Sequence, residues 1–158
     1  MTKILVCCLM FSTVVLAQVA LCGEAKETVA TADAPKAIGP YSQAIKYGNL
    51  VFVSGQIAID PKSGNLSTGS IEEQTKLVLE NLKAVVEASG VTLKDVLKTT
   101  CFLKNMGDFA KFNEVYATYF GESLPARETV EVARLPRDVL VEVSCICWNS
   151  GIFSYLST

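Results

Sequence analysis

The chain of 158 residues contains no histidine. Without an imidazole, Ser-His-Asp and Cys-His catalysis are excluded, and so are the common zinc sites that depend on one. Acid–base chemistry then falls to carboxylates, Tyr, Lys, Cys, backbone groups or water. Arginine is scarce too, and none occurs before Arg127. No CxxC pair exists, and three of the six cysteines (Cys7, Cys8, Cys22) crowd the first 22 residues. The odd three that remain, Cys101, Cys145 and Cys147, do not make a disulfide framework and fit a reducing compartment better than a secretory one. Cys145 and Cys147 alternate on a strand pattern and read as small core hydrophobes. A positive excess is also missing, with 14 basic against 16 acidic residues. Setting aside residues 1–22, whose only charge is Lys3, leaves 13 against 16 and a net charge of −3. That balance makes no electrostatic case for nucleic-acid binding.

Residues 1–22 read as a signal-like leader: Lys3, then an apolar run from Ile4 to Leu16, then the small residues of a cleavage site after Ala17. The run is too short for a stable membrane span. It has no arginine, unlike a mitochondrial presequence. The segment points to the secretory pathway or an organelle; the cysteine count points back toward the cytoplasm. Asn65-Leu66-Ser67 is a glycosylation sequon, usable only if the chain is exported.

Residues 23–36 read as a linker, 37–147 as a single domain, and 148–158 as a tail with no period. Within the domain, residues 38–46 and 50–53 read as strands of a hairpin across the turn Tyr47-Gly48-Asn49. Ser70-Ile71-Glu72-Glu73 is a capping box that opens a helix, with Ile71, Val78, Leu79, Leu82, Val85 and Val86 on its apolar face and Gly90 just past its end. Residues 96–103 form a strand. Asp108 is the expected cap of a second helix whose inner stripe is Phe109, Phe112, Tyr116, Tyr119 and Phe120, closed by Gly121. An alternating stretch at 125–136 and a last strand at 139–147 follow. The order β-β-α-β-α-β-β predicts a two-layer α+β domain, a sheet with two helices packed on one face. Ferredoxin-like arrangements stay open at this level.

Few residues here can carry chemistry. Arg127 opens the alternating strand, with Thr129, Glu131 and Ala133 on its face. A guanidinium there offers a planar fork matched to a carboxylate; taken alone, the run favours a strand-end arginine in a solvated ion pair. Tyr41, beside Gly39-Pro40, reads as packing in isolation. Ser54-Gly55 reads as a strand end, although Gly55 would allow a ligand close to the backbone. Asn113 borders the aromatic stripe and, if buried, needs partners. Glu142 alternates with valines; it is a solvated carboxylate on a half-buried sheet or, if desolvated, a base for water.

Three motifs, Gly39-Pro40-Tyr41-Ser42-Gln43-Ala44, Val53-Ser54-Gly55-Gln56 and Pro125-Ala126-Arg127 with the strand after it, occur in the order found in the RidA family, the YjgF-type reactive-intermediate (enamine/imine) deaminases, which this chain resembles from about Val29 to Cys147. The resemblance implies a chorismate-mutase-like fold, a homotrimer with sites in the subunit clefts, and no metal or cofactor. It implies hydrolysis of 2-imino acids released by pyridoxal-phosphate dehydratases, 2-iminobutanoate and 2-iminopropanoate, to 2-oxo acids and ammonia. It assigns Arg127 to the substrate carboxylate, Glu142 to the attacking water, Tyr41 to the pocket mouth, and Ser54 and Gly55 to its lining; Asn113 is expected from a neighbouring subunit. Two residues depart from the family pattern. Glu128 puts a negative charge beside the clamp, and Thr129 stands where the family commonly has cysteine. Those changes keep open a non-catalytic trimer that binds 2-oxo acids. An endoribonuclease and translation-inhibitor role is also attached to the family, against which the acidic balance and missing histidine argue.

Overall fold

The computed structural model describes residues 25–150. The proposed leader, and the tail from residue 151, lie outside the described residues. Six strands form one sheet: β1 (Glu27–Val29), β2 (Ala44–Tyr47), β3 (Leu50–Gln56), β4 (Val96–Leu103), β5 (Ala126–Glu131) and β6 (Val141–Trp148). Two helices cross it, α1 (Ile71–Ala88) and α2 (Phe109–Phe120). The strand order is β1-β2-β3-β6-β4-β5. Only β4 and β5 run parallel, joined through α2; β6 slots antiparallel between β3 and β4.

Local chemistry sets the helix bounds. In α1 the Ser70 hydroxyl accepts from the Glu73 amide and the Glu73 carboxylate accepts from the Ser70 amide, so both bonds of the capping box form. Gly90 ends the helix at φ +82°, a left-handed position that glycine takes without penalty. The second helix starts differently from expectation. Asp108 makes no side-chain cap; a 3-10 turn at Met106–Asp108 leads in, and Asn105 caps it through the Gly107 amide at 2.8 Å. A chain that enters already coiled needs no cap at Asp108.

Alternation then builds the layers. Val51 and Val53 of β3, Thr99, Cys101 and Leu103 of β4, and Val141, Val143, Cys145 and Cys147 of β6 are buried beneath the helices. The helices meet them with Val78, Leu79, Leu82, Val85 and Val86 of α1 and Phe112, Tyr116 and Phe120 of α2. Phe109 leaves the expected stripe and is exposed, whereas Tyr119 packs part-buried against the core while its hydroxyl reaches the Glu80 carboxylate at 2.6 Å. Burial and that carboxylate push the Tyr119 hydroxyl well above its ordinary pKa. The opposite face of the sheet stays open, with Phe52, Leu97, Val130 and Trp148 exposed on it or at its margin.

Two other boundaries move. The segment expected to be a linker holds β1, paired with β2 in the register Glu27↔Lys46 to Val29↔Ala44. The first hairpin strand starts at Ala44 rather than 38, because Gly39-Pro40 and the residues around them take a loop course. The last strand begins two residues later than expected and takes in Trp148, paired with Leu50.

Candidate active site

The residues singled out in the sequence fall into two groups on opposite faces of the sheet. The first lies on the helix side. Arg127 pairs across the parallel ladder with buried Thr99, which in turn pairs with buried Cys145. Its guanidinium carbon stands 4.6 Å from the Tyr116 ring centroid, 5.6 Å from Phe109 and 6.0 Å from Phe112. These rings hold the cation by its face and shield it from water. Nη1 donates to Asn113 Oδ1 at 2.8 Å, the one hydrogen bond the guanidinium makes among the described residues. Asn113 therefore serves the arginine of its own chain. The other guanidinium N–H groups remain available to a planar anion. The cradle is itself fixed: Tyr116 and Thr99 share a buried hydroxyl hydrogen bond of 2.7 Å, and desolvation raises the Tyr116 pKa to about 12.

Thr129 shares the Arg127 face and sits opposite Cys101 in the ladder. Its hydroxyl is buried and has no hydrogen-bond partner among the described residues. The Cys101 thiol beside it is fully buried, and desolvation pushes it up to about 11, so it remains a thiol near neutrality. Glu128 turns to the other face, where Lys98 Nζ holds its carboxylate at 2.8 Å.

The second group surrounds a cavity of about 300 Å³ lined by Ile38, Tyr41, Ser54, Gly55, Ile57, Pro136 and Glu142. A bulge interrupts the β3–β6 ladder between Val53 and Gln56, which places Ser54 and Gly55 out of regular pairing. Ser54 is tied down twice: its Oγ donates to the Ser42 carbonyl at 2.7 Å and its amide to the Gln43 carbonyl at 3.0 Å. The Tyr41 hydroxyl accepts from the Ile38 amide at 3.2 Å. Glycine at 55 leaves room for the Glu142 carboxylate, since a Cβ there would overlap that carboxylate in its present position and force the side chain to move. Glu142 is half-buried and makes no hydrogen bond or ion pair among the described residues; burial alone raises its pKa above the ordinary carboxylate value. A small apolar cluster of Ile57, Ile59, Leu135 and Val139 underpins the cavity and sets Pro136 as its wall.

Within one chain Arg127 and Glu142 do not meet. Glu142 pairs with Phe102, and Phe102 with Val130, on the face that Arg127 does not share. A partly free guanidinium and a desolvated carboxylate thus stand on the two sides of one sheet.

Reading by residue type missed the buried amides that hold this architecture. Gln74 accepts from the Leu140 amide at 2.9 Å and donates to the Gly69 carbonyl at 3.1 Å. Asn81 donates to the carbonyls of Ile57 and Ile59 at 3.2 and 2.9 Å. Gln43 binds the segment before Tyr41. The available signal was an amide on or beside an apolar stripe, which has to find partners inside.

Comparison with known proteins agrees with this architecture. The family model described as Endoribonuclease L-PSP matches residues 31–148. A RutC family protein of Pyrococcus horikoshii is 61% identical over 124 residues, spanning 78% of this chain and 98% of that protein. A protein of Escherichia coli named 2-iminobutanoate/2-iminopropanoate deaminase is 46% identical over 123 residues, spanning 76% of this chain and 95% of that one. Among solved structures, the E. coli YjgF gene product superposes with a TM-score of 0.74 at 45% identity, covering 77% of this chain and 98% of that one. E. coli TdcF with bound serine gives 0.75 at 42%, covering 78% and 99%. With the family model spanning β2 to β6 and both helices, the chain belongs to the RidA (YjgF, endoribonuclease L-PSP) family.

Proposed function

We propose that this protein hydrolyses 2-imino acids such as 2-iminobutanoate and 2-iminopropanoate to 2-oxo acids and ammonia, at sites formed between copies of the chain. One copy supplies Arg127, Asn113 and Thr129; the next supplies Tyr41, Ser54, Gly55 and Glu142. The observation that carries the reading is Glu142, an unpaired, half-buried carboxylate with raised pKa against a cavity of about 300 Å³. The identities with proteins named as deaminases support the substrate class. The relative crystallised with serine carries a ligand with a carboxylate of the kind that Arg127 suits.

The chemistry follows from the groups. Arg127 grips the substrate carboxylate by its free N–H groups and orients the imine carbon. Glu142 takes one proton from water as the water oxygen bonds to that carbon, and hands it to the imine nitrogen, giving a carbinolamine. Glu142 then takes the carbinolamine hydroxyl proton and passes it to the same nitrogen, so that the carbonyl forms as the C–N bond breaks and ammonia leaves. A carboxyl with raised pKa suits both directions of that transfer near neutrality. The imine is already reactive, so positioning supplies much of the acceleration. The open apolar face of the sheet supports a trimer that would cover it.

The test is ammonia and 2-oxobutanoate release from 2-iminobutanoate generated in situ by a threonine dehydratase. Acceleration by the wild type that disappears in Arg127→Ala and in Glu142→Gln is the expected result. No acceleration by a folded oligomer would overturn the reading in favour of a trimer that only binds 2-oxo acids.

A further inference from the structure

We propose that Gln43 is a positioning residue for the imino-acid site, acting through a strap formed by residues 31–41; the inference rests on the deaminase reading for its kinetic consequences. Fourteen residues, 30–43, separate β1 from β2. They include Ile38 and Tyr41, which line the Glu142 cavity. Regular pairing stops at Val29↔Ala44, so the strap needs other anchors.

One side chain provides most of them. Gln43 is buried, with 5% of its surface exposed. Its Oε1 accepts from the Thr31 amide at 2.6 Å. Its Nε2 faces the carbonyls of Pro35 at 2.7 Å, Thr31 at 3.1 Å and Ala34 at 3.3 Å. Among the described residues, every hydrogen bond given for residues 31–35 to a group outside that stretch ends on this amide. The same residue reaches the other wall, since its carbonyl accepts the Ser54 amide at 3.0 Å and the adjacent Ser42 carbonyl accepts Ser54 Oγ at 2.7 Å. Gln43 thus joins the strap to the Ser54-Gly55 bulge. The strap's far end is closed on itself by a further bond, the Ile38 amide on the Tyr41 hydroxyl. Buried Ala34 packs the middle but cannot direct it. An amide is suited to this task, because it accepts and donates at one point without bringing charge inside.

The decisive variant is Gln43→Met, which keeps length and bulk and removes all four side-chain contacts. Its KM for 2-iminobutanoate is expected to rise about tenfold, equivalent to one or two lost hydrogen bonds, with a smaller change in kcat. Tyr41→Phe removes that closing bond within the strap, and the double variant should cost less than the sum, because both act through one strap. A KM within about twofold of wild type beside a lowered Tm, or additive effects in the cycle, would overturn the proposal and leave Gln43 a purely structural residue. Amide exchange gives a readout independent of turnover. The Ile38 and Tyr41 amides should exchange faster in Gln43→Met while β4 and β6 keep their protection; unchanged or uniformly faster exchange would overturn it. If the wild type proves inactive as a deaminase, the function reading fails while exchange still decides the strap. Should Gln43→Met not fold, Gln43→Glu serves. A protonated carboxyl restores a donor toward the carbonyls and an ionised one repels them, so its KM relative to wild type should fall as pH falls. A pH-independent ratio would overturn the proposal.

Discussion

Lys98 and Glu128 form an ion pair of 2.8 Å between the parallel strands β4 and β5, on the face of the sheet that Arg127 does not occupy. The acid next to Arg127 is therefore held by Lys98 away from the guanidinium. Both partners are more than a third exposed, so the pair contributes at most about 1 kcal/mol. Glu128→Gln should leave KM for 2-iminobutanoate within about twofold and Tm within a few degrees. A large fall in KM would show instead that Glu128 acts on the site.

Asn113 holds one Nη of Arg127, and three aromatic rings hold its face. Asn113→Ala removes the bond but leaves the cradle, so KM should rise about tenfold. Arg127→Lys loses both the planar fork and the stacking and should be nearly as damaging as Arg127→Ala. Steady-state kinetics on the three variants checks this order.

Gly55 and Glu142 touch so closely that a methyl at 55 has no place while the carboxylate keeps its position. Gly55→Ala should displace Glu142 and lower kcat/KM about a hundredfold, on the order of 3 kcal/mol of transition-state stabilisation. Activity and Tm measured together separate this from general unfolding. Unaltered activity would remove Glu142 from the chemistry.

Burial raises the Glu142 pKa in the folded protein. The folded state therefore binds a proton that the unfolded state has already released, and stability falls as pH rises from the ordinary glutamate value through the folded one. Glu142→Gln abolishes that loss. Denaturant unfolding should show the variant gaining on the wild type across this window, with the gap constant above it. The deaminase rate should fall in acid, with an apparent pKa above that of an ordinary glutamate.

Thr129 keeps a buried hydroxyl without a hydrogen-bond partner among the described residues. Thr129→Val replaces it with a methyl of the same shape and should hold or raise stability by about 1 kcal/mol, since a desolvated donor is removed. If the hydroxyl binds substrate, KM rises at the same time; thermal melts and kinetics on one sample distinguish the two effects.

The elements whose signals are local were legible in the chain itself. The Ser70–Glu73 box and Gly90 bounded α1, and the run from Val96 to Leu103 was read as β4 to the residue. The alternation of Cys145 and Cys147 put both thiols in the core, 3.7 Å apart. Arg127, Glu142 and the Ser54-Gly55 pair stood out through the motifs shared with the RidA family, since each taken alone had an ordinary structural reading. Tertiary structure decided the rest. Three residues at Glu27–Val29 become a strand only because β2 offers them partners. Ladder register, which depends on pairing across the sheet, put Arg127 and Glu142 on opposite faces. Gln43 owes its importance to carbonyls eight to twelve residues away, gathered around it by a loop course that no local pattern encodes.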